Sequence, residues 1–131
     1  MKPARINLGG VGDVLGVVER VLRGRSSEVS ALAPGLERRD NQGLHDFRIA
    51  CKRLRYAMER FEPLEPPLET AAQRLALIQD ALGEAHDRDV LLAILPPTMG
   101  QTQRRLQAER EACIDRAAAE WHEVRAVLER A

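Results

Sequence analysis

Leu44-His45-Asp46-Phe47-Arg48-Ile49-Ala50-Cys51-Lys52-Arg53-Leu54-Arg55-Tyr56 has the period of a helix and two distinct faces. At about 100° per residue, Phe47, Cys51, Leu54, Met58 and Phe61 fall on one apolar stripe. His45, Arg48, Lys52 and Arg55 fall on a second stripe beside it. Solvated helices ordinarily mix signs on the polar face, because opposite charges four residues apart support each other. On this stripe no acid interrupts the cations until Glu59. Like charges in a row repel one another, and a polyvalent anion lying along the groove would relieve the repulsion.

Working outward, proline and glycine punctuate a chain of helices with no convincing strand. Val11 to Arg23 carries Val14, Val18, Val21 and Leu22 at helical spacing, with an interruption expected at Gly24. Ser26 and Ser27 can cap a short continuation through Leu32, ended by Pro34-Gly35. Asp40-Asn41-Gln42-Gly43 reads as the turn and cap before the basic helix, which Pro63, Pro66 and Pro67 stop near Glu62. A third helix starts near Pro67 and carries Leu68, Ala71, Ala72, Leu75, Ile78 and Leu82 on one face. Gly83 and a cap-like Asp87 predict a break or kink in it before Asp89 to Leu95. Thr98-Met99-Gly100-Gln101 resembles a capping box opening a long last helix to about Glu129, striped by Leu106, Cys113, Ala117, Trp121, Val124 and Leu128. The expected fold is all-α: an antiparallel four-helix bundle with a kinked third helix and a long last helix. Residues 1–10 are expected to form a loose arm ahead of one helical domain over 11–131.

Composition narrows the function. A chain of 131 residues suits one domain. Lys+Arg and Asp+Glu are both 20, so the formal net charge is +0. A general nucleic-acid binder carries a basic excess, and single-strand readers also need aromatic platforms. Here aromatics are 3%, and the basic character is local, which disfavours nucleic acid. All cations except Lys2 and Lys52 are arginines, suited to bidentate phosphate contacts. Cys51 and Cys113 fall at apolar helix positions and make no disulfide framework, so a reducing, cytoplasmic setting is expected. No secretion signal is evident, and no run reaches the roughly 18 apolar residues of a membrane span.

Leu82-Gly83-Glu84-Ala85-His86-Asp87-Arg88-Asp89-Val90 is the second constellation. Its residues alone favour acids that cap a helix start, Asp87 first among them. The alternative is that an acid of this segment bonds one of the arginines and aims its fork at a ligand. Together, His45-x-x-Arg48-x-x-x-Lys52-Arg53-x-Arg55-Tyr56 and Ile78-Gln79-x-x-Leu82-Gly83-x-x-x-Asp87 resemble the CHAD (conserved histidine alpha-helical) domain. The resemblance covers roughly residues 12 to 128, with its specific matches within 44 to 95.

The resemblance implies a helical fold that binds inorganic polyphosphate in a basic groove, without catalysis and without a metal or organic cofactor. By position it carries over His45, Arg48, Lys52, Arg53 and Arg55 as phosphate contacts. Tyr56 beside them, His86 and Asp87 of the second constellation, and Arg74 to one side of the third helix's apolar stripe are the expected supporting residues. Helical geometry alone leaves Arg53 open between a phosphate contact and a solvated cation. Two departures stand out. The usual CHAD domain has two helical repeats, and this chain is long enough for one, so a homodimer would rebuild a complete groove. His86 stands where many members carry arginine. The family also implies a triphosphate-processing enzyme as partner and location at polyphosphate granules. The competing expectation is a structural or adaptor module whose basic stripe docks an acidic protein. An enzyme reading rests on the dipeptides His45-Asp46 and His86-Asp87. It is disfavoured, because adjacent helical residues point about 100° apart and no phosphate loop or nucleophile elbow accompanies them.

Overall fold

The computed structural model describes residues 2–130, and among them the ordered elements are all helical. Four long helices and one short one follow in order: α1 (Val14–Leu32), α2 (Pro34–Arg38), α3 (Asn41–Phe61), α4 (Leu68–Ile94) and α5 (Gly100–Arg130). Asp13 caps α1 by accepting from the Gly16 N–H at 2.8 Å. Asp40 does the same for α3, accepting from Gly43 at 2.9 Å. The Gly43 N–H thereby holds the Asp40 carboxyl below its ordinary range.

Three local expectations are corrected. Gly24 does not interrupt α1, which runs as one helix. A side chain there would collide with Ile6, so the glycine makes room for the N-terminal segment to lie across the helix. Arg20 and Arg25 donate to the Asn7 and Ala4 carbonyls at 2.9 and 3.1 Å, fastening that segment. Gly83 does not break α4, which is helical without interruption through His86, Asp87 and Asp89. Asp87 therefore caps no helix start. Burial of Leu82 and Ala85 on either side carries the helix across a glycine that costs about 1 kcal/mol relative to alanine. Finally, the first hydrogen bond of α5 runs from the Gln103 N–H to the Met99 carbonyl, so Met99 takes the position expected of Thr98.

Pro34-Gly35 stops α1 as expected, yet it opens α2 with proline in the first turn. Arg39 ends α2 in the left-handed region at φ 58°. Gly35 and Gly43 then meet backbone to backbone: a Cβ on Gly35 would lie 2.6 Å from the Gly43 carbonyl oxygen. That contact sets where α3 begins.

The stripe read on α3 is the core as far as Met58, while Phe61 at its end is only half-buried. Phe47, Cys51, Leu54 and Met58 are all buried, with Leu75 and Ile78 of α4 and Ile114, Ala117 and Trp121 of α5. Phe47 meets Trp121 edge to face, with ring centroids 5.4 Å apart at 82°. Each fully buried side chain of this size stabilises the fold by about 1.5–3 kcal/mol. Burial also pushes the Cys51 thiol far above its ordinary range, so it behaves as an inert core group. Ion pairs record the packing of α4 against α5: Arg74 with Glu120, Glu84 with Arg116, and Asp89 with Arg110. Numbers rise along one helix as they fall along the other, so this pair runs in opposite directions.

Candidate functional site

Because α3 buries its apolar stripe, its cations are turned outward beside α4. His45 and Lys52 are exposed, and Arg48 and Arg55 are half-buried. Tyr56 stands out at 49% exposure and takes both neighbouring cations on its ring. Lys52 Nζ lies 5.7 Å and Arg55 Cζ 5.0 Å from the ring centroid. Such contacts add about 0.5–1 kcal/mol each at exposed sites and fix the direction of long side chains. Arg55 Nε also lies 3.1 Å from Glu59 Oε1, a contact by charge too bent to count as an aligned hydrogen bond.

Arg48 reaches across to α4. Its Nε donates to the Gln79 carbonyl at 3.3 Å, and its guanidinium lies over Gly83, where a Cβ would stand 3.4 Å from Nη2. Gly83 is thus a shelf for Arg48. A cleft of about 450 Å³ opens here between the first turns of α3 and the last turns of α4. His45 and Arg48 line it from α3, and His86 and Asp89 from α4, over an apolar floor of Leu82 and Ala85. His45 and His86, far apart in sequence, are brought to one place.

Not every candidate joins them. Arg53 turns toward α1, 3.7 Å from Glu28. Arg74 sits on the seam with α5, 3.1 Å from Glu120. Asp87 is exposed on α4, and among the described residues no contact joins it to an α3 arginine. The acids of its segment instead bond arginines of α5. Asp89 accepts from Arg110 Nε at 2.6 Å, and Glu84 accepts from Arg116. The Arg116 guanidinium holds the Glu84 carboxyl below its ordinary range.

Arg110 is buried, at 7% exposure, and had no signal in the sequence beyond being one arginine of many. Besides Asp89 it bonds Glu111 at 2.9 Å, the Arg39 carbonyl at 2.7 Å and Asn41 Oδ1 at 3.3 Å. One guanidinium therefore ties the α4 wall of the cleft to the start of α3. Arg39 adds a second tie, bonding Glu111 at 2.6 Å and Asp115 at 2.5 Å on α5. Those carboxylates, Asp115 first, raise the Arg39 guanidinium above its ordinary range. Among the described residues no group of three or more His, Cys, Asp or Glu could hold a metal ion. No helix among them is long and apolar enough to cross a membrane.

The CHAD domain profile matches residues 12–96, which is more than half of the chain. The chain belongs to the CHAD domain family. No curated protein and no solved structure matches it. The match is consistent with a single, half-length CHAD unit, and it contains both walls of the cleft. The helix that braces the CHAD cleft from behind, α5, lies beyond the matched residues.

Proposed function

We propose that this CHAD unit binds inorganic polyphosphate noncatalytically, along the row His45, Arg48, Lys52 and Arg55 and into the cleft shared with α4. CHAD domains are, as a family, noncatalytic modules that bind polyphosphate. The observation that carries the reading here is the row itself: His45 and three cations from successive turns of one rigid helix, with Tyr56 steering two of the cations. A polyphosphate chain repeats one charge and one set of acceptors, so recognition needs spacing and charge density and no base platform. Hydrogen bonds to charged groups contribute about 1.5–3 kcal/mol each, so several modest contacts add to useful affinity. Arg53, beside Glu28, falls outside the proposed contact set. The same reading takes the four long helices as an antiparallel bundle. It also takes a second copy and a triphosphate-processing enzyme as partners, at polyphosphate granules in the cytoplasm.

The test is a titration with long-chain polyphosphate at two salt concentrations, with duplex DNA and pyrophosphate as controls. Binding should strengthen with chain length and weaken steeply with salt. Arg48→Ala combined with Arg55→Ala should lower affinity at least about tenfold, the equivalent of about 1.4 kcal/mol, with helix content unchanged. An unaltered affinity in that folded variant would remove the row from the site.

One observation favours a second reading. Val90, Leu91 and Ile94 are exposed on α4 at the cleft end, Ile94 at 72%. An acidic protein segment with apolar anchors would use both surfaces. It would bind with fixed stoichiometry and be weakened by Ile94→Ser, which polyphosphate would not notice.

A further inference from the structure

We propose that anion binding in the α3–α4 cleft is coupled to proton uptake by His45 and His86, so that the site tightens as pH falls. The inference rests on the polyphosphate reading and supplies its regulation. His45 from α3 and His86 from α4 line the same cleft, together with Arg48. Both histidines are exposed, and among the described residues neither imidazole has a hydrogen-bond or ion-pair partner. Histidine is the side chain whose charge ordinarily changes between about pH 5 and about pH 8.

The charges around the pair decide what an anion does to it. From α3 come Arg48, Lys52 and Asp46; from α4 come Asp87 and Asp89; from α5 comes Arg110. Asp89, the carboxylate lining the cleft, is held by Arg110 at 2.6 Å. Asp46 accepts from Gln42 at 2.9 Å. Asp87 neighbours His86 in the chain but projects about 100° away on the helix. The nearest acids are therefore committed elsewhere or turned aside, and the cation that lines the cleft beside the pair is Arg48.

A row of phosphates reverses that field. It neutralises Arg48 and offers acceptors to both imidazoles, which favours their charged form. The histidines then hold protons more tightly in the complex than in the free protein. By linkage, the extra affinity is fully present below their free-protein range and is lost as pH rises through their range in the complex. Arginine stays charged throughout, so weaker binding persists at high pH.

Calorimetric titration with long-chain polyphosphate tests this, at constant salt, in buffers of different ionisation enthalpy near about pH 7 and again at about pH 5.5 and about pH 8. The expected result is net proton uptake and affinity about fivefold to tenfold tighter at the lower pH, tenfold being the most that a tenfold firmer hold on one proton at one histidine can add. The variant His45→Gln/His86→Gln should take up no protons and bind with one weaker affinity at both pH values. His86→Arg should bind tighter than wild type at the higher pH and depend less on pH. A wild type that binds without proton uptake overturns the coupling, as does pH dependence that survives in the double glutamine variant. A folded wild type that binds polyphosphate at neither pH overturns the functional reading, and the coupling with it.

Discussion

Replacing Gly83 by alanine is expected to stabilise the protein and leave anion binding intact. Gly83 lies inside the uninterrupted helix Leu68–Ile94, where alanine is favoured over glycine by about 0.8–1 kcal/mol. The three atoms nearest the added methyl all belong to Arg48, Nη2 at 3.4 Å and Cζ and Nε at 3.8 Å, which is ordinary van der Waals contact with the end of a flexible side chain. None of the three is a backbone atom, so little of the helix gain is lost. The net expectation is about 0.5–1 kcal/mol of added stability, or roughly 3 °C in Tm for a chain of this size. Urea unfolding followed by far-UV circular dichroism measures the first quantity and polyphosphate titration the second. Gly83→Leu is the contrasting perturbation: its branched side chain takes the space of the guanidinium, frees Arg48 from the Gln79 carbonyl and weakens binding. A loss of stability in Gly83→Ala would refute the continuous helix. A loss of affinity beyond about threefold, or about 0.65 kcal/mol, would refute the loose shelf.

Gly35→Ala should act oppositely, because its methyl runs into the Gly43 carbonyl; a destabilisation of about 1–3 kcal/mol in urea unfolding is expected. Arg110→Met should cost about 3 kcal/mol by leaving Asp89 without its buried partner, and adding Asp89→Asn should recover part of that loss in a double-mutant cycle. The depressed carboxyl of Glu84 binds protons more weakly in the folded than in the unfolded state, so its contribution is present above the ordinary glutamate range near pH 4.3 and is lost as pH falls through the lower folded value. Comparing urea midpoints between about pH 6 and about pH 3, Glu84→Gln should show a shallower acid decline than wild type.

The sequence made α3 legible because two signals agreed along its whole length. Its apolar and cationic stripes keep one period, and Asp40 and Pro63 punctuate the ends. The family resemblance followed from the same residues and from Leu82-Gly83 to Asp87, and the profile match over 12–96 agrees with it. Gly83 was misleading because local propensity registers only the missing side chain. The burial of Leu82 and Ala85 and the passage of Arg48 overhead come from elements distant in sequence. Arg53 and Lys52 are adjacent and both cationic, yet the step of about 100° between neighbouring residues sends Arg53 to Glu28 on α1. Arg39 and Arg110 carry no local signature at all. Arg39's carboxylate partners, and the Arg39 carbonyl and Asn41 that Arg110 bonds, lie some 70 residues away, and only the docking of α5 against the α2–α3 turn reveals them.

Arg110 also gives the cleft an order of assembly. Both walls, α3 and α4, are complete in the chain before any residue of α5 exists. The guanidinium that holds Asp89 and joins it to Asn41 and the Arg39 carbonyl comes from the last helix. On a ribosome, which emits the chain at about 5–20 residues per second, the walls precede their brace by seconds. Until α5 docks, Asp89 lacks the guanidinium that pairs with it in the folded protein. On the polyphosphate reading, the cleft is complete for its ligand only once the brace from α5 has docked.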